Sequence, residues 1–281
     1  MSKAIAIPSA ATVYFPNYAD DLVTHLEFNK KVNAIPGNYS MLNESLFLAI
    51  AQQQMLIIHE EVNEAKTEFD RFEKDGFSQE MYKLLRDGLG DTIVTYDGLF
   101  ARLGLEFNFP SSEVPSVIVD NCEGFSRDDR FSYASLLFRT QLMPAHELVM
   151  SIVRTAQHTG DLDIALIGRL AEGIVLLTER ISRIVGVDVL ADQEAIFSSN
   201  ISKFDTDRAT AEIGLQRYLD NGVKAHILEN TVDGVQYHVI KVAEDCTVVV
   251  DGKPKSFVKG KFLKSILFAE PDLQPTIFTV T

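Results

Sequence analysis

A long run of apolar residues at helical spacing, with neither proline nor glycine inside it, constrains this chain more than any other feature. From Leu42 to Phe72 the apolar side chains recur every three or four residues, which is the period of an amphipathic α-helix. Gly76 follows shortly after the run, and glycine commonly terminates helices. The pattern predicts one long helix that buries a single face.

A second helix is predicted directly after the first. It begins near Ser78 and runs to Leu103, where Gly104 ends it. Two helices joined by so short a connection usually lie side by side and antiparallel. The first part of the chain therefore predicts a helical hairpin.

The second half of the chain resembles a worn copy of this hairpin. The sequence from His59 to Val62 is echoed from His146 to Val149, and the sequence from Asp91 to Val94 is echoed from Gly173 to Leu176. Amphipathic helices also resemble one another by chance, because the 3.6-residue period is common. We interpret the pattern as a duplication, which predicts a mainly α fold: a tandem helical-hairpin pseudo-dimer in the form of a four-helix bundle.

The pattern changes after Ser198. A short helix is predicted over 205–219, and alternation typical of strands begins at Val223. Asp233-Gly234 and Asp251-Gly252 are strong hairpin-turn signals between the alternating runs. We therefore predict a helical repeat with an N-terminal segment over 1–110, a degenerate helical repeat over 111–199 and a small α+β module over 200–281.

The charge and the cysteine content exclude several classes of protein. The formal net charge of −14 argues against a nucleic-acid partner and against an anionic membrane surface, since both need a basic face. No apolar run approaches the roughly 18–20 residues that cross a bilayer. The N-terminus faintly resembles a signal peptide, but its apolar stretch is short and interrupted by Pro8, so we interpret it as a mature N-terminus. Cys122 and Cys246 provide no disulfide framework, which favours a reducing compartment. These features predict a cytoplasmic protein with no nucleic-acid or membrane partner.

Carboxylates recur at helical spacing on both helices of the first hairpin. On the first helix Glu60, Glu64 and Glu68 are four residues apart, and Glu61 lies three before Glu64. On the second helix Asp87 and Asp91 are also four apart. Residues at these spacings share one helix face. In an antiparallel pair the two acidic faces can therefore meet.

Converging carboxylates are costly unless a cation offsets their charge, and Mg²⁺ prefers oxygen ligands of this kind. The alternative is a solvated acidic face. The second repeat argues for a site, because it replaces the acidic residues selectively: the positions of Glu61, Glu64, Asp87 and Asp91 are occupied there by Leu148, Ser151, Arg169 and Gly173.

The pattern E-E-x-x-E from Glu60 to Glu64, followed on the next helix by D-x-x-x-D from Asp87 to Asp91, resembles the MazG-like all-α nucleoside triphosphate pyrophosphohydrolases. The resemblance covers about residues 42–107 and is greatest to the phosphoribosyl-ATP pyrophosphohydrolase-like branch common in bacteriophages. It implies a hydrolase that uses Mg²⁺, or Mn²⁺ in its place, and a host-cytoplasm location for a phage protein.

The resemblance also implies roles for particular residues. The metal ligands would be Glu61, Glu64, Asp87 and Asp91, with one departure: the usual second-helix motif is E-x-x-D, and Gly88 stands where its glutamate would be. Relatives carry an N-x-S-K element after the helices, which here begins at Asn200 and ends at Lys203. Those two residues would contact the substrate phosphates.

Other candidates come from the residues alone. Lys261 lies in the densest basic stretch, 259–265, and could reach over a triphosphate. Glu60 or Glu68 is the expected general base, and the sequence does not choose between them. The histidines, His59 and His146 among them, show no metal spacing and no partner, so no role is assigned to them.

These observations together predict a nucleotide pyrophosphohydrolase. The expected substrate is a purine deoxynucleoside triphosphate, dATP or dGTP, which would be cleaved to the monophosphate and pyrophosphate by water attack at the α-phosphorus. The nearest alternatives are dUTP or phosphoribosyl-ATP as the substrate. A non-catalytic nucleotide-binding regulator and a purely structural helical protein are alternatives of other classes. Apolar faces on two-hairpin scaffolds favour pairing, so we also expect a homodimer.

Overall fold

The computed structural model describes residues 7–14, 44–105, 116–187, 189–232, 234–250 and 252–273. The chain is mostly helical and carries a small β-containing module near its C-terminal end, so the prediction of a mainly α protein is confirmed. The predicted turn residues Asp233 and Asp251 lie outside the described residues. Among the described helices, none is both long and apolar enough to cross a membrane.

The elements follow one another in a simple order, with each strand paired antiparallel to one neighbour: β1 with β2, β3 with β4, and β5 with β6. Their bounds are β1 Ser9–Tyr14, α1 Glu44–Asp75, α2 Gln79–Leu103, β2 Ser116–Asn121, α3 Arg127–Leu137, a π-helical turn Phe138–Leu142, α4 Met143–Thr159, α5 Ile164–Ile184, α6 Val189–Ile201, α7 Arg208–Asp220, β3 Ala225–Val232, β4 Val235–Val242, β5 Cys246–Val250 and β6 Lys253–Phe257.

The ends of the first hairpin are fixed by the residues that the sequence indicated. The Ser78 hydroxyl accepts a hydrogen bond from the backbone N–H of Met81 and caps the start of α2. Gly104 adopts a left-handed conformation, with φ of 63°, and its N–H donates to the carbonyl of Phe100. The predicted limits of α2 are therefore confirmed.

The second hairpin contains a feature that we did not predict. Helix α3, the π-helical turn and helix α4 follow one another without a gap, and the turn ends two residues before Pro144. Proline lacks an N–H group and clashes with the carbonyl four residues before it, which here belongs to Thr140. The wider π-helical turn accommodates the missing N–H group and the clash, so the helix continues through Pro144.

The two hairpins share one hydrophobic core. Helix α1 packs against α4, and α2 packs against α5, with buried residues drawn from all four helices. The C-terminal module has its own small clusters, built where α7 lies on β3 and β4. The helical core and the module meet along the polar face of the first hairpin, which leaves a cavity between them.

Helices α1 and α2 lie close together at Gly88. A Cβ atom at this position would lie 3.0 Å from the backbone nitrogen of Ala65 and 3.2 Å from its Cα atom. These distances are shorter than ordinary van der Waals contacts, so any side chain at Gly88 would push the helices apart. The contact lies beside the carboxylates of both helices and therefore sets the distance between their acidic faces.

Alanine substitution should separate this packing role from helix propensity. Gly173 in α5 is exposed and has no neighbour that an added Cβ would meet, so Gly173→Ala should stabilise the protein by about 1 kcal/mol. At Gly88 the same propensity gain is opposed by the backbone of Ala65. We expect Gly88→Ala to be less stable than Gly173→Ala by roughly 1–3 kcal/mol in denaturant unfolding. Equal stabilisation by both substitutions would contradict the close approach.

Candidate active site

One cavity of about 510 Å³ lies between the first hairpin and the C-terminal module. Its floor consists of carboxylates from α1 and α2, and its roof carries cationic side chains from the module and from the segment after α6. Of the nine residues named above as metal, catalytic or phosphate-binding candidates, all but Glu68 line this cavity: Glu60, Glu61, Glu64, Asp87, Asp91, Asn200, Lys203 and Lys261.

Local geometry explains the departure at Gly88. A glutamate at this position would be directed at the backbone of Ala65 and not into the cavity. Asp87, one residue earlier, lines the cavity together with Asp91. The close helix contact therefore requires glycine at position 88, and Asp87 supplies the second carboxylate of α2.

Glu68 does not join the site. It is buried one turn beyond Glu64, it does not line the cavity, and it accepts a hydrogen bond of 3.3 Å from Arg71. Of the two candidate bases, only Glu60 lies in the cavity. Its Oε2 atom is buried and has no hydrogen-bond partner among the described residues.

Lys261 is the cation nearest to the floor of the cavity. Its Nζ atom lies 2.5 Å from Glu60 Oε1 and 3.7 Å from Glu61 Oε1. Burial opposes the charge of this ammonium group, but Glu61 and Glu60 outweigh that effect and raise the pKa of Lys261. The lysine therefore stays charged and partly neutralises the floor.

The backbone around Gly260 positions Lys261. Gly260 has a φ of 86°, and its N–H donates to the carbonyl of Val242 at 2.9 Å. The side chain of Gln53 in α1 lies where a Cβ atom of Gly260 would be, and its Nε2 atom donates to the carbonyl of Lys259. The segment is thus held against both the β module and α1, which fixes the lysine over the carboxylates.

The floor still carries more negative charge than Lys261 offsets. Burial, with Asp91 adding to it, raises the pKa of Glu61 to about 8. Burial and Asp91 also raise the pKa of Asp87 to about 7, and partial burial raises that of Glu64. Burial and repulsion by Asp91 therefore favour the protonated forms of Glu61 and Asp87 near neutral pH.

The donor set fits a hard divalent cation. Every candidate ligand on the floor is a carboxylate oxygen, which suits Mg²⁺ or Mn²⁺, and a bound cation would remove the cost of ionising Glu61 and Asp87. Among the described residues, three ligand atoms approach within 4.8 Å of one another in His59, His146 and Glu147, whereas the floor carboxylates are more widely spaced. Metal binding on the floor therefore requires Glu61, Glu64 and Asp91 to turn inward.

Helix α6 brings Asn200 and Lys203 to the cavity. Asn200 is buried and donates from Nδ2 to Asp91 Oδ1 at 3.2 Å, and Lys203 donates to Asn200 Oδ1. A buried ion pair anchors the helix, because Arg86 Nε and Nη2 donate to the two oxygens of Asp192 at 2.9 and 2.6 Å. The sequence analysis missed this anchor, because the two residues are far apart in the chain.

The prediction that the histidines have no partner was wrong for His59 and His146. Their Nδ1 and Nε2 atoms lie 2.9 Å apart, and His146 Nδ1 lies 2.8 Å from the Tyr96 hydroxyl. Burial, with His59 adding to it, lowers the pKa of His146 to about 4, so its ring is neutral. Both of its ring nitrogens are engaged, and binding a metal would break this chain. The matched positions of the two histidines in the repeats were the signal for their contact.

Comparisons of this chain with protein-family models, with curated protein sequences and with solved structures find no match.

Glu61→Gln tests the electrostatic balance of the floor. Because the pKa of Glu61 is raised from 4.5 to about 8, its carboxyl group contributes fully to the stability of the fold below pH 4.5, where it is protonated. This contribution is lost as the pH rises towards 8 and the group ionises. At pH 8 without metal, we expect Glu61→Gln to be more stable than the wild type, on the order of 2 kcal/mol, because one pKa unit corresponds to about 1.4 kcal/mol and other charges offset part of the shift. Mg²⁺ should raise the Tm of the wild type and leave that of the variant nearly unchanged.

The matched control is Glu123→Gln, which changes an exposed glutamate outside the cavity. It should retain the wild-type pH profile and the wild-type response to Mg²⁺ in thermal melts. A Glu61→Gln variant that is less stable than the wild type at pH 8 would contradict the excess of negative charge.

Proposed function

We propose that this protein is a MazG-like pyrophosphohydrolase that cleaves a nucleoside triphosphate to the monophosphate and pyrophosphate with Mg²⁺. The observation that carries the proposal is the cavity itself, in which carboxylates from two helices face lysines from distant parts of the chain. A triphosphate with its metal fits this division, because the carboxylates suit the cation and the lysines suit the phosphates.

The helix packing supports a pseudo-dimer of two hairpins. In a two-fold arrangement, equivalent elements contact each other, and a residue near the axis meets its own equivalent. Helix α1 packs on its equivalent α4, α2 packs on α5, and His59 contacts the aligned His146. We infer that the first hairpin keeps the site, and that the second serves as its scaffold.

The second hairpin lacks the chemistry of the first. Ser151, Arg169 and Gly173, which stand at the positions of Glu64, Asp87 and Asp91, are all exposed. None of the three lines either of the two cavities between the first hairpin and the C-terminal module. One catalytic site per pseudo-dimer follows from this asymmetry.

In the proposed mechanism Glu61, Glu64 and Asp91, together with Asp87, provide the oxygen ligands for the metal. When bound, Mg²⁺ would offset the phosphate charge and lower the pKa of a bound water. Asn200 holds Asp91 in place through its amide.

Glu60 is the proposed general base. Its free Oε2 atom is buried in the cavity wall, where it can accept the proton of the water that attacks the α-phosphorus. Lys203 and Lys261 lie in the same cavity and would hold the β- and γ-phosphates, so that pyrophosphate leaves with its new charge paired.

Pyrophosphate release measured over a panel of triphosphates, with and without Mg²⁺, tests this function. The panel includes dATP, dGTP, dUTP and phosphoribosyl-ATP. We expect Glu64→Gln to abolish release with little loss of thermal stability, and Glu60→Gln to lower kcat by roughly 10²–10⁴-fold. Glu147→Gln, at the position equivalent to Glu60 in the second repeat, should retain wild-type activity.

Other outcomes would favour the alternatives. Binding of a triphosphate without release of pyrophosphate by the wild type would indicate a nucleotide-binding regulator. Neither binding nor any effect of Mg²⁺ on melting would indicate a structural protein. Full activity of Glu64→Gln would remove the proposed site. The homodimer remains a prediction, which light scattering of the purified chain would test.

A further inference from the structure

A second, smaller cavity opens beside the proposed metal site. Its volume is about 80 Å³, several times the space that one water needs. It shares six lining residues with the larger cavity: Glu61, Asp91, Asn200, Lys203, Lys261 and Phe262. Its other walls are mainly apolar, with Ile57 and Val94 among them. We call this space the side pocket. A group bound there would lie next to the phosphates of the proposed substrate.

Arg102 is the charged group at the inner end of the side pocket. Only 5% of the residue is exposed, and its Nη1 atom donates to Gln54 Oε1 at 2.8 Å. Among the described residues, no carboxylate pairs with it, and burial lowers its pKa to about 10. Its guanidinium has further N–H groups besides the one that Gln54 accepts, and the residue lines the side pocket, so a ligand there could accept from them.

A second cation, Lys241, lies near Arg102 but does not line the side pocket. Burial lowers the pKa of Lys241, and the positive charge of Arg102 lowers it further. Its Nζ atom lies 5.4 Å from the centre of the Phe262 ring, which lines the side pocket. The ring of Phe204 supports Phe262 edge-to-face at 5.7 Å. The side pocket therefore combines an aromatic ring with the guanidinium of Arg102, which has no carboxylate partner among the described residues.

Gln54 holds Arg102 and is itself fully engaged. Its Nε2 atom donates to the carbonyl of Thr95 at 2.8 Å, while its Oε1 atom accepts from Arg102. Both polar atoms of the amide are therefore held by the protein, which fixes Arg102 at the pocket wall. Arg102, in contrast, keeps N–H groups directed away from Gln54.

We propose that the side pocket receives the base of the nucleoside triphosphate, and that Arg102 selects guanine by donating hydrogen bonds to O6 and N7. This inference rests on the proposed function. A guanidinium matches the two acceptors of guanine, whereas adenine presents an amino group in place of O6 and leaves one donor unpaired. The ring of Phe262 offers the base a surface for stacking.

Base analogues separate this contact from general phosphate binding. The substrates are dGTP, dITP, 7-deaza-dGTP and dATP, and the measurement is kcat/KM for pyrophosphate release with Mg²⁺. Since dITP keeps O6 and N7, it should match dGTP within a few-fold. 7-deaza-dGTP lacks N7 and dATP lacks O6, so each should be roughly tenfold to a hundredfold poorer.

Variants assign the selectivity to Arg102. In Arg102→Gln the ratio of kcat/KM for dGTP to that for dATP should fall towards one, and Arg102→Lys, which keeps the charge but not the fork, should lose most of the ratio too. The control Arg169→Gln changes an exposed arginine and should keep the wild-type ratio. Thermal melts of all three variants report on folding.

The outcomes distinguish this inference from the function on which it rests. Equal use of dGTP and dATP by the wild type, or an equal loss on all four substrates in Arg102→Gln, would overturn the role of Arg102 in base selection, with hydrolysis retained. Release of pyrophosphate from none of them would instead overturn the proposed function. In that case calorimetric titration with dGMP and dAMP still decides the inference: tighter binding of dGMP, lost in Arg102→Gln, supports it, and equal binding overturns it.

Discussion

The arrangement of this molecule depends on bringing like charges together between two helices. Carboxylates on α1 and α2 can face each other because Gly88 lets the helices approach to backbone contact with Ala65. Their repulsion and burial would oppose that approach, and the ammonium group of Lys261 relieves part of the strain. Under the proposed function, a divalent cation would offset the carboxylates that Lys261 does not pair with.

The two hairpins divide the tasks of stability and chemistry. The second hairpin supplies apolar surface to the shared core and has lost the acidic residues, so its helices carry no comparable electrostatic cost. The neutral His146, held by His59 and Tyr96, lies where the two hairpins meet. The unfavourable charge is thus concentrated in the first hairpin, while both hairpins contribute to the shared core.

Much of the fold and of the site could be predicted from local patterns, because local physics determines them. Helical periodicity and the residues Ser78 and Gly104 gave the limits of α2, and i, i+4 spacing indicated which carboxylates share a face. The π-helical turn was missed although Pro144 was visible, because a proline inside a helical pattern is accommodated in several ways.

Long-range contacts could not be predicted in the same way. The pairing of Arg86 with Asp192 and the burial of Arg102 depend on which helices pack together, and no local pattern records that choice. Lys261 was singled out for its basic surroundings, but its contact with Glu60 joins residues some two hundred positions apart. The pattern of charges indicated the participants in the site, and tertiary packing decided their partners.

The ion pair between Lys261 and Glu60 has a consequence for turnover under the proposed function. Lys261 is part of the same chain and would compete with a bound cation for the carboxylates. A ligand that carries its own cation could displace the lysine without leaving Glu60 unpaired. Once the cleaved fragments depart with their metal, the tethered ammonium group returns to Glu60 and disfavours their rebinding. Under the proposed function, Lys261 would therefore disfavour the binding of nucleotides that carry no metal.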